Sequence, residues 1–207
     1  MKDDFLTISE PVTIETVISR SKFICHLSPV ENEEDARIFI ERIKKEHSLA
    51  THNCYAYVAD EYGLVQKISD DGEPQGTSGM PMLEVLKNKG LSKVVAVVTR
   101  YFGGVKLGTG GLVRAYSGAV ADAISVATLK NMRHAVFVCV KSDYDKFSRL
   151  NKLENEDITI TDRQFSDGVI VKYAVKYCKF EDFKKQLSDI FSGKEVFEIV
   201  GEEYFPF

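Results

Sequence analysis

The chain has 207 residues, of which 44% are hydrophobic and 28% charged, and its net charge is −4 at pH 7. This composition excludes a disordered chain, and the length allows one large domain or two smaller ones. No apolar stretch approaches the roughly 20 residues that span a bilayer, and no signal-peptide pattern is present, so we expect no membrane partner. The acidic balance also argues against a nucleic-acid binder that works through overall charge.

Cysteine usage indicates a reducing compartment. The four cysteines form no close pair, no C-x-x-C motif and no spacing typical of zinc ligands; they are Cys25, Cys54, Cys139 and Cys178. Apolar or aromatic neighbours surround each of them, which favours buried free thiols. We therefore predict a cytoplasmic protein without a metal or another cofactor.

Strand and helix patterns alternate along the first part of the chain. Acidic residues at its start and basic residues at its end indicate a helix over 31–47. Ser78 is the expected N-cap of a second helix, which runs to residue 89. The continuous apolar run 93–99 is typical of a strand that is buried on both faces. The predicted elements are strands 12–18, 22–27, 54–59, 64–68 and 93–99, and helices 31–47, 78–89 and 109–127.

The pattern begins again after Leu129. Strands are predicted over 134–140, 158–161, 169–175 and 196–200, and helices over 144–153 and 180–191. This is the β-α-β-β-α-β order of ferredoxin-like domains. The fold class is therefore α+β, with one domain over residues 1–128 and a second over 129–207.

A basic, glycine-rich stretch is the main candidate for a binding site. Between Glu84 and Asp122 lie 37 residues without an acidic side chain, which include six basic residues and seven of the 14 glycines. A loop within it joins the buried strand to a helix N-terminus, where free N–H groups suit a phosphate or a carboxylate. The candidate residues for binding phosphate or nucleic acid are Arg100, Tyr101, Phe102, Gly103, Gly104, Lys106, Gly108, Thr109, Gly110, Gly111 and Arg114.

The same loop has a purely structural interpretation. It fits neither G-x-x-x-x-G-K-[ST] nor a clean G-x-G-x-x-G, so a nucleotide cradle is not expected. A tight strand-to-helix connection with solvated cations would produce the same pattern. Both interpretations stay open from spacing alone.

An acidic loop and a neighbouring strand supply a second candidate site. Asp70, Asp71 and Glu73 could bind a divalent cation, although the loop is not the twelve-residue calcium motif. The alternative is an acidic turn that caps the next helix or holds nearby cations in place. On the strand, His52 and Cys54 share a face, but such neighbours rarely form a nucleophile and base. We therefore expect a possible acidic and polar site at His52, Asp70, Asp71 and Glu73, with no catalytic residue and no metal ligand assigned.

Several segments together resemble the IMPACT/YigZ family. The most specific is Val97–Tyr116, a long run with few interchangeable positions, and shorter matches occur at 50–57, 69–77 and 81–83. Residues 21–24 also fit, although the family commonly has Arg at the position of Lys22. The resemblance covers the whole chain, because bacterial members carry a second, ferredoxin-like domain.

The resemblance implies both a fold and a role in translation. It implies a first domain similar to the second domain of ribosomal protein S5, and a domain pair similar to the last two domains of elongation factor G. Eukaryotic members act in translational control by binding a regulator of an initiation-factor kinase. We therefore expect a non-catalytic protein that contacts RNA or the ribosome. The alternatives are a protein-binding adaptor in translational control and a small-molecule enzyme that uses the acidic loop and His52.

Overall fold

Two β-sheets organise the protein, whose computed structural model describes residues 4–194 and 196–207. Over these residues the structure contains five α-helices, and the predicted two-domain α+β fold class is confirmed. Contacts between residues divide the chain into two units, one of Phe5–Lys130 and one of Asn131–Phe207 with Asp4. No helix in the described ranges is both long and apolar enough to cross a bilayer.

The N-terminal unit contains the acidic loop and the glycine-rich loop. Its elements are β1 (Phe5–Ile8), β2 (Val12–Ile18), β3 (Ser21–Pro29), α1 (Glu33–Glu46), β4 (His52–Val58), β5 (Gln66–Ser69), α2 (Gly79–Asn88), β6 (Val94–Tyr101) and α3 (Gly108–Val126). Strands β2 to β6 form an antiparallel sheet in the order β2-β3-β6-β4-β5. The predicted apolar strand is therefore the central one, which explains why both of its faces are buried.

Helices cover both faces of this sheet. On one face, α2 and α3 pack against alternate residues of β3, β4 and β6, including Cys25, Cys54 and Val98. On the other, the apolar stripe of α1 packs against Val95 and Val97. Since side chains of a strand alternate between faces, the single strand β6 contributes to both cores. This arrangement brings the ends of β3, β4 and β6 together beside the two loops.

Strand β1 was not predicted from the sequence. It has only four residues, and its position depends on partners far along the chain. Leu6 makes a parallel bridge to Leu91, and the Thr7 hydroxyl donates to the carbonyl of Lys93 at 3.2 Å. Such long-range contacts leave no mark in the local pattern of so short a strand.

The C-terminal unit has the predicted β-α-β-β-α-β order. Its elements are β7 (Leu129–Ser142), α4 (Phe147–Asn151), β8 (Ile158–Phe165), β9 (Val169–Lys176), α5 (Phe180–Phe191) and β10 (Phe197–Pro206). The antiparallel strands lie in the order β10-β7-β9-β8, as in ferredoxin-like domains. The predicted helix 144–153 is shorter, because a 3₁₀ turn precedes α4 and the N–H groups of Lys152 and Leu153 bond three residues back.

All four cysteines are free thiols, but they differ in exposure. Cys25 and Cys54 are buried in the core of the N-terminal unit, as expected. Cys139 is partly buried and Cys178 is exposed. The prediction of buried thiols is therefore wrong for Cys178, which lies in the 3₁₀ turn Tyr177–Lys179 before α5.

Candidate functional site

Strand β6 carries Arg100 into the interior of the N-terminal unit. The residue lies opposite Phe23 of β3 and His52 of β4. Its side chain is only 6% exposed, and Nη1 donates to Oε1 of Glu73 at 2.7 Å. The structure thus corrects the placement of Arg100: its guanidinium lies in an internal ion pair and not on the surface, because Glu73 supplies the opposite charge there.

Glu73 lies where β4, β6 and α3 meet the acidic loop. Its carboxylate is 3% exposed, and the same Oε1 also accepts from the Tyr116 hydroxyl of α3 at 2.8 Å. Nε2 of His52 lies 3.8 Å from this oxygen. A buried carboxylate is stable only with such partners, because desolvation penalises its charge. Glu73 therefore fixes the acidic loop to the sheet and to α3.

Asp70 and Asp71 are engaged by the backbone around them. Oδ1 of Asp70 accepts from the N–H groups of Ser78 and Gly79 and from the Ser78 hydroxyl, and its Oδ2 accepts from the N–H of Gly76. Burial alone raises the pKa of Asp70, but these hydrogen bonds outweigh burial and leave the pKa below its usual range. Oδ2 of Asp71 accepts from the N–H of Asn53 at 2.6 Å.

The acidic loop is thus the cap of α2. Ser78 occupies the predicted N-cap position of this helix, but its side chain donates to Asp70 and makes no capping bond to a helix N–H group. Asp70 supplies the missing acceptor from eight residues earlier, which agrees with the capping alternative. Within the described ranges, no group of three or more His, Cys, Asp or Glu side chains could hold a metal ion.

His52 and Cys54 each bond a carbonyl of the acidic loop rather than each other. Nδ1 of His52 lies 2.8 Å from the carbonyl oxygen of Asp71, which can only accept, so Nδ1 carries the proton. The Cys54 thiol donates to the carbonyl of Asp70 at 3.0 Å. Burial raises the pKa of Cys54 to about 12, so the thiolate needed for a nucleophile is not formed near neutral pH.

Gly103 turns the chain out of β6 against the hairpin of β2 and β3. A Cβ atom at Gly103 would lie 2.0 Å from the carbonyl carbon and oxygen of Arg20. The N–H of Gly103 donates to the Ser21 hydroxyl at 3.2 Å, and that of Phe102 donates to the Thr51 hydroxyl at 3.1 Å. Only glycine allows this approach of two backbones, so the hairpin fixes the start of the loop.

Helix α3 begins without a side-chain cap, unlike the other two long helices of this unit. Asn32 caps α1 and Asp70 caps α2, whereas the N-cap position of α3 is Leu107 and its first turn contains no acidic residue. Gly108, Thr109 and Gly110 of this turn are exposed. Their free N–H groups and the helix dipole create a site that favours an anion.

Exposed cations follow the same loop. Arg20, Lys106 and Arg114 are exposed, and no carboxylate among the described residues forms an ion pair with any of them. Nη1 of Arg114 lies 3.7 Å from where a Cβ of Gly110 would be, so it borders the first turn of α3. We define the basic loop surface as Arg20, Phe102, Lys106, Thr109, Gly110 and Arg114.

Arg20 was missed by the sequence analysis. It lies in the β2–β3 turn with a positive φ of 67°, and only the long-range pairing of β3 with β6 brings it beside Gly103. The predicted strands 12–18 and 22–27 and the match of residues 21–24 to the family pattern were the signals that pointed to this hairpin. Of the two predicted aromatic contacts, Phe102 is 46% exposed, while Tyr101 is partly buried.

Tyr101 belongs to a small polar cluster on the α1 face of the sheet. Its hydroxyl lies 3.0 Å from Nδ1 of His47. The rings of His47 and His26 are 5.0 Å apart, and Nδ1 of His26 lies 3.2 Å from the Thr13 hydroxyl. Burial, and then the charge of His47, lower the pKa of His26 to about 4.

The cluster makes stability depend on pH in a defined window. In the unfolded chain His26 has a pKa near 6.5, so between about pH 6.5 and pH 4 the unfolded state binds the proton preferentially. The free energy of unfolding therefore keeps this contribution in full above the window, and it decreases by about 2 to 3 kcal/mol as the pH falls through the window. In urea unfolding at about pH 7.5 and pH 4.5, the variant His26→Gln should lose this part of the difference between the two pH values. An unchanged difference would contradict the assignment.

Comparison with known proteins gives a consistent result. Residues 19–124 match the model of the Impact N-terminal domain. The IMPACT family member YvyE of Bacillus subtilis is 40% identical over 94% of this chain and 90% of its own length. YigZ of Escherichia coli is 34% identical over 92% and 95%. Protein IMPACT of Xenopus laevis is 33% identical over 43% of this chain and 30% of its own length.

A solved structure supports the fold over the full length. The crystal structure of a hypothetical protein matches with a TM-score of 0.64 and 33% identity, over 98% of this chain and all of that one. The segments that match the family most specifically in sequence are those that meet at Glu73: β4, the acidic loop, β6 and α3. With a matching domain model and relatives similar over almost its whole length, the chain belongs to the IMPACT family.

Proposed function

We propose that the protein is a non-catalytic regulatory protein of the translation machinery that contacts RNA or the ribosome through the basic loop surface. One observation carries the proposal. Arg20, Lys106 and Arg114 are exposed without an ion pair among the described residues, along a loop that leads into the uncapped N-terminus of α3. In a chain of net charge −4, such a segregated surface favours a local anion partner.

The parts of this surface have complementary roles. Phosphate oxygens suit the N–H groups of Thr109 and Gly110, with Lys106 and Arg114 adding charge. Phe102 is exposed enough to stack on a base. Arg100 takes no part in the contact; instead, its ion pair with Glu73 holds β6 and the acidic loop together beneath the loop.

We assign the proposed contact to the predicted first domain, residues 1–128, and treat residues 129–207 as a separate ferredoxin-like domain. The proposed place of action is the cytoplasm, where translation occurs. Similarity to YvyE and YigZ over more than nine-tenths of the chain supports keeping both domains in one functional protein.

A protein-binding adaptor is the second candidate, and one feature favours it. Phe102 and Val105 expose 46% and 40% of their surface on the same loop. Exposed apolar side chains beside cations also suit a protein partner with an acidic, partly apolar face. The enzyme hypothesis has no such support, because His52, Asp70, Asp71 and Glu73 are engaged in internal hydrogen bonds.

Charge reversal on the basic loop surface tests the proposal. We expect Lys106→Glu with Arg114→Glu to weaken binding to purified ribosomes and to a fluorescein-labelled oligouridylate by at least about tenfold at 50 mM salt. The magnitude of the slope of log affinity against log salt should fall by about 2, because two phosphate contacts are lost. Fluorescence anisotropy measures the oligonucleotide, and co-sedimentation measures the ribosomes.

The matched control is Lys45→Glu with Lys152→Glu, which changes the charge equally at exposed lysines outside the surface. This control should retain wild-type affinity. Equal losses in both double variants, or binding that does not respond to salt, would overturn the proposal. Retention of a stoichiometric protein partner after nuclease treatment, with no binding to the oligonucleotide, would favour the adaptor.

A further inference from the structure

A lysine-lined cavity lies at one end of the C-terminal unit, apart from the site described above. Its volume is about 560 Å³, which lies within the range of roughly 300 to 1,000 Å³ that is typical of small-molecule sites. The lining residues used below are Lys141, Ser142, Asp143, Lys146, Ser192 and Lys194, which we call the lysine pocket.

The fold creates this cavity where two elements end. Strand β7 ends at Ser142, and α5 ends at Phe191. Ser192 and Gly193 then adopt left-handed conformations, with φ of 53° and 84°, and turn the chain back toward β10. This turn leaves a concave space between the end of β7 and the segment after α5. Phe191 and Val196 supply its apolar lining.

The described residues that line the pocket carry more positive than negative charge. Lys141 and Lys194 are exposed and have no ion pair with any of the described residues. Lys146 pairs with Asp145 at 3.0 Å, and its ammonium lies 5.9 Å above the Phe191 ring. Among the described residues of the lining, Asp143 is the one that is acidic. Unpaired ammonium groups in a concave site raise the local potential for anions.

The donors also match one ligand chemistry. Ammonium groups donate without accepting, and the Ser192 hydroxyl adds a polar contact at the same cavity, whereas the Ser142 hydroxyl donates to the carbonyl of Asp143 at 3.1 Å. Lysine binds phosphate well as a point charge. Two unpaired lysines with a third at the wall suit a group with two or more negative charges, and Phe191 and Val196 leave room for an apolar portion.

We propose that the lysine pocket binds a small phosphorylated molecule. This site is additional to the basic loop surface: it lies in the other unit and shares no residue with that surface. The protein would then bind a small molecule through this unit in addition to its proposed contact with the translation machinery.

Calorimetry with pyrophosphate tests the pocket on the full chain. We expect one binding site per chain and an affinity at least tenfold lower in the variant Lys141→Ala with Lys194→Ala. Asp143→Asn should strengthen binding severalfold, because it removes the carboxylate from the lining. All the substitutions are at exposed side chains, and circular dichroism verifies that the fold is retained.

The matched control is Lys152→Ala with Lys185→Ala, which removes two exposed lysines of the same unit outside the pocket. It should bind pyrophosphate as the wild type does, while the basic-loop variant Lys106→Glu with Arg114→Glu should leave this affinity unchanged. The absence of binding at millimolar pyrophosphate, or equal losses in the pocket variant and the control, would overturn the proposal. Tighter binding of a 5′-phosphorylated oligonucleotide than of pyrophosphate at these lysines would overturn the small-molecule assignment.

Discussion

Replacing Glu73 with Gln is expected to lower the free energy of unfolding of the N-terminal unit by about 3 to 5 kcal/mol. The substitution preserves size but removes the charge, and it leaves the guanidinium of Arg100 without a counterion at a position where that side chain is only 6% exposed. The Tyr116 hydroxyl keeps an acceptor, so the effect reports mainly on charge. Urea unfolding followed by circular dichroism measures the change.

A surface ion pair provides the control. Glu31 pairs with Lys93 at 3.1 Å, but its side chain is 82% exposed, so Glu31→Gln should change stability by less than about 1 kcal/mol. Replacing both buried partners, as in Glu73→Gln with Arg100→Met, should cost less than the sum of the single changes, since no buried charge remains. A loss below about 1 kcal/mol in Glu73→Gln would mean that Arg100 is not held by this carboxylate.

The substitution Gly103→Ala is expected to destabilise the same unit by about 3 kcal/mol or more. The new methyl group would lie 2.0 Å from the Arg20 carbonyl and 2.5 Å from the Ser21 nitrogen, and these backbone atoms cannot rotate away. To make room, the β2–β3 turn must separate from the loop. We therefore also expect weaker binding through the basic loop surface, because Arg20 and Phe102 lose their fixed spacing.

Gly118→Ala is the matched control, and the sign of its effect should be opposite. Gly118 lies within α3, and a Cβ there has no contact within 4 Å. Alanine favours a helix over glycine, so stability should rise by about 0.5 to 1 kcal/mol. Similar changes in the two variants would show that Gly103 is not held against the hairpin. Urea unfolding of both proteins under the same conditions decides.

Much of the fold followed from local pattern. The apolar run of β6 and the stripe of α1 predicted those elements to within a few residues, and the order of elements in the C-terminal unit was also predicted, although β7 begins five residues earlier and β10 ends six residues later than predicted. These signals are local, because periodicity reports burial along a single element. Strand β1 and the shortened α4 depend instead on distant partners or on a few terminal hydrogen bonds.

The candidate site was harder to predict from the sequence, because its contacts join residues that are far apart along the chain. The sequence identified the loop that contains Lys106 and Arg114 and left open whether Arg100 is paired with an acid. Choosing Glu73 as its partner requires the register of β6 against β4 and the path of the acidic loop, which join residues 27 positions apart. Arg20 is brought to the surface by a pairing across an even longer separation.

The distribution of thiols gives the protein an internal reporter of its own opening. Cys25 and Cys54 are fully enclosed in one unit, and burial raises the pKa of both thiols, whereas Cys178 is exposed in the other unit. A thiol reagent therefore modifies Cys178 in the native protein but reaches Cys25 and Cys54 only when the N-terminal unit opens. The rate of their modification follows that opening separately from events in the C-terminal unit, without an added probe.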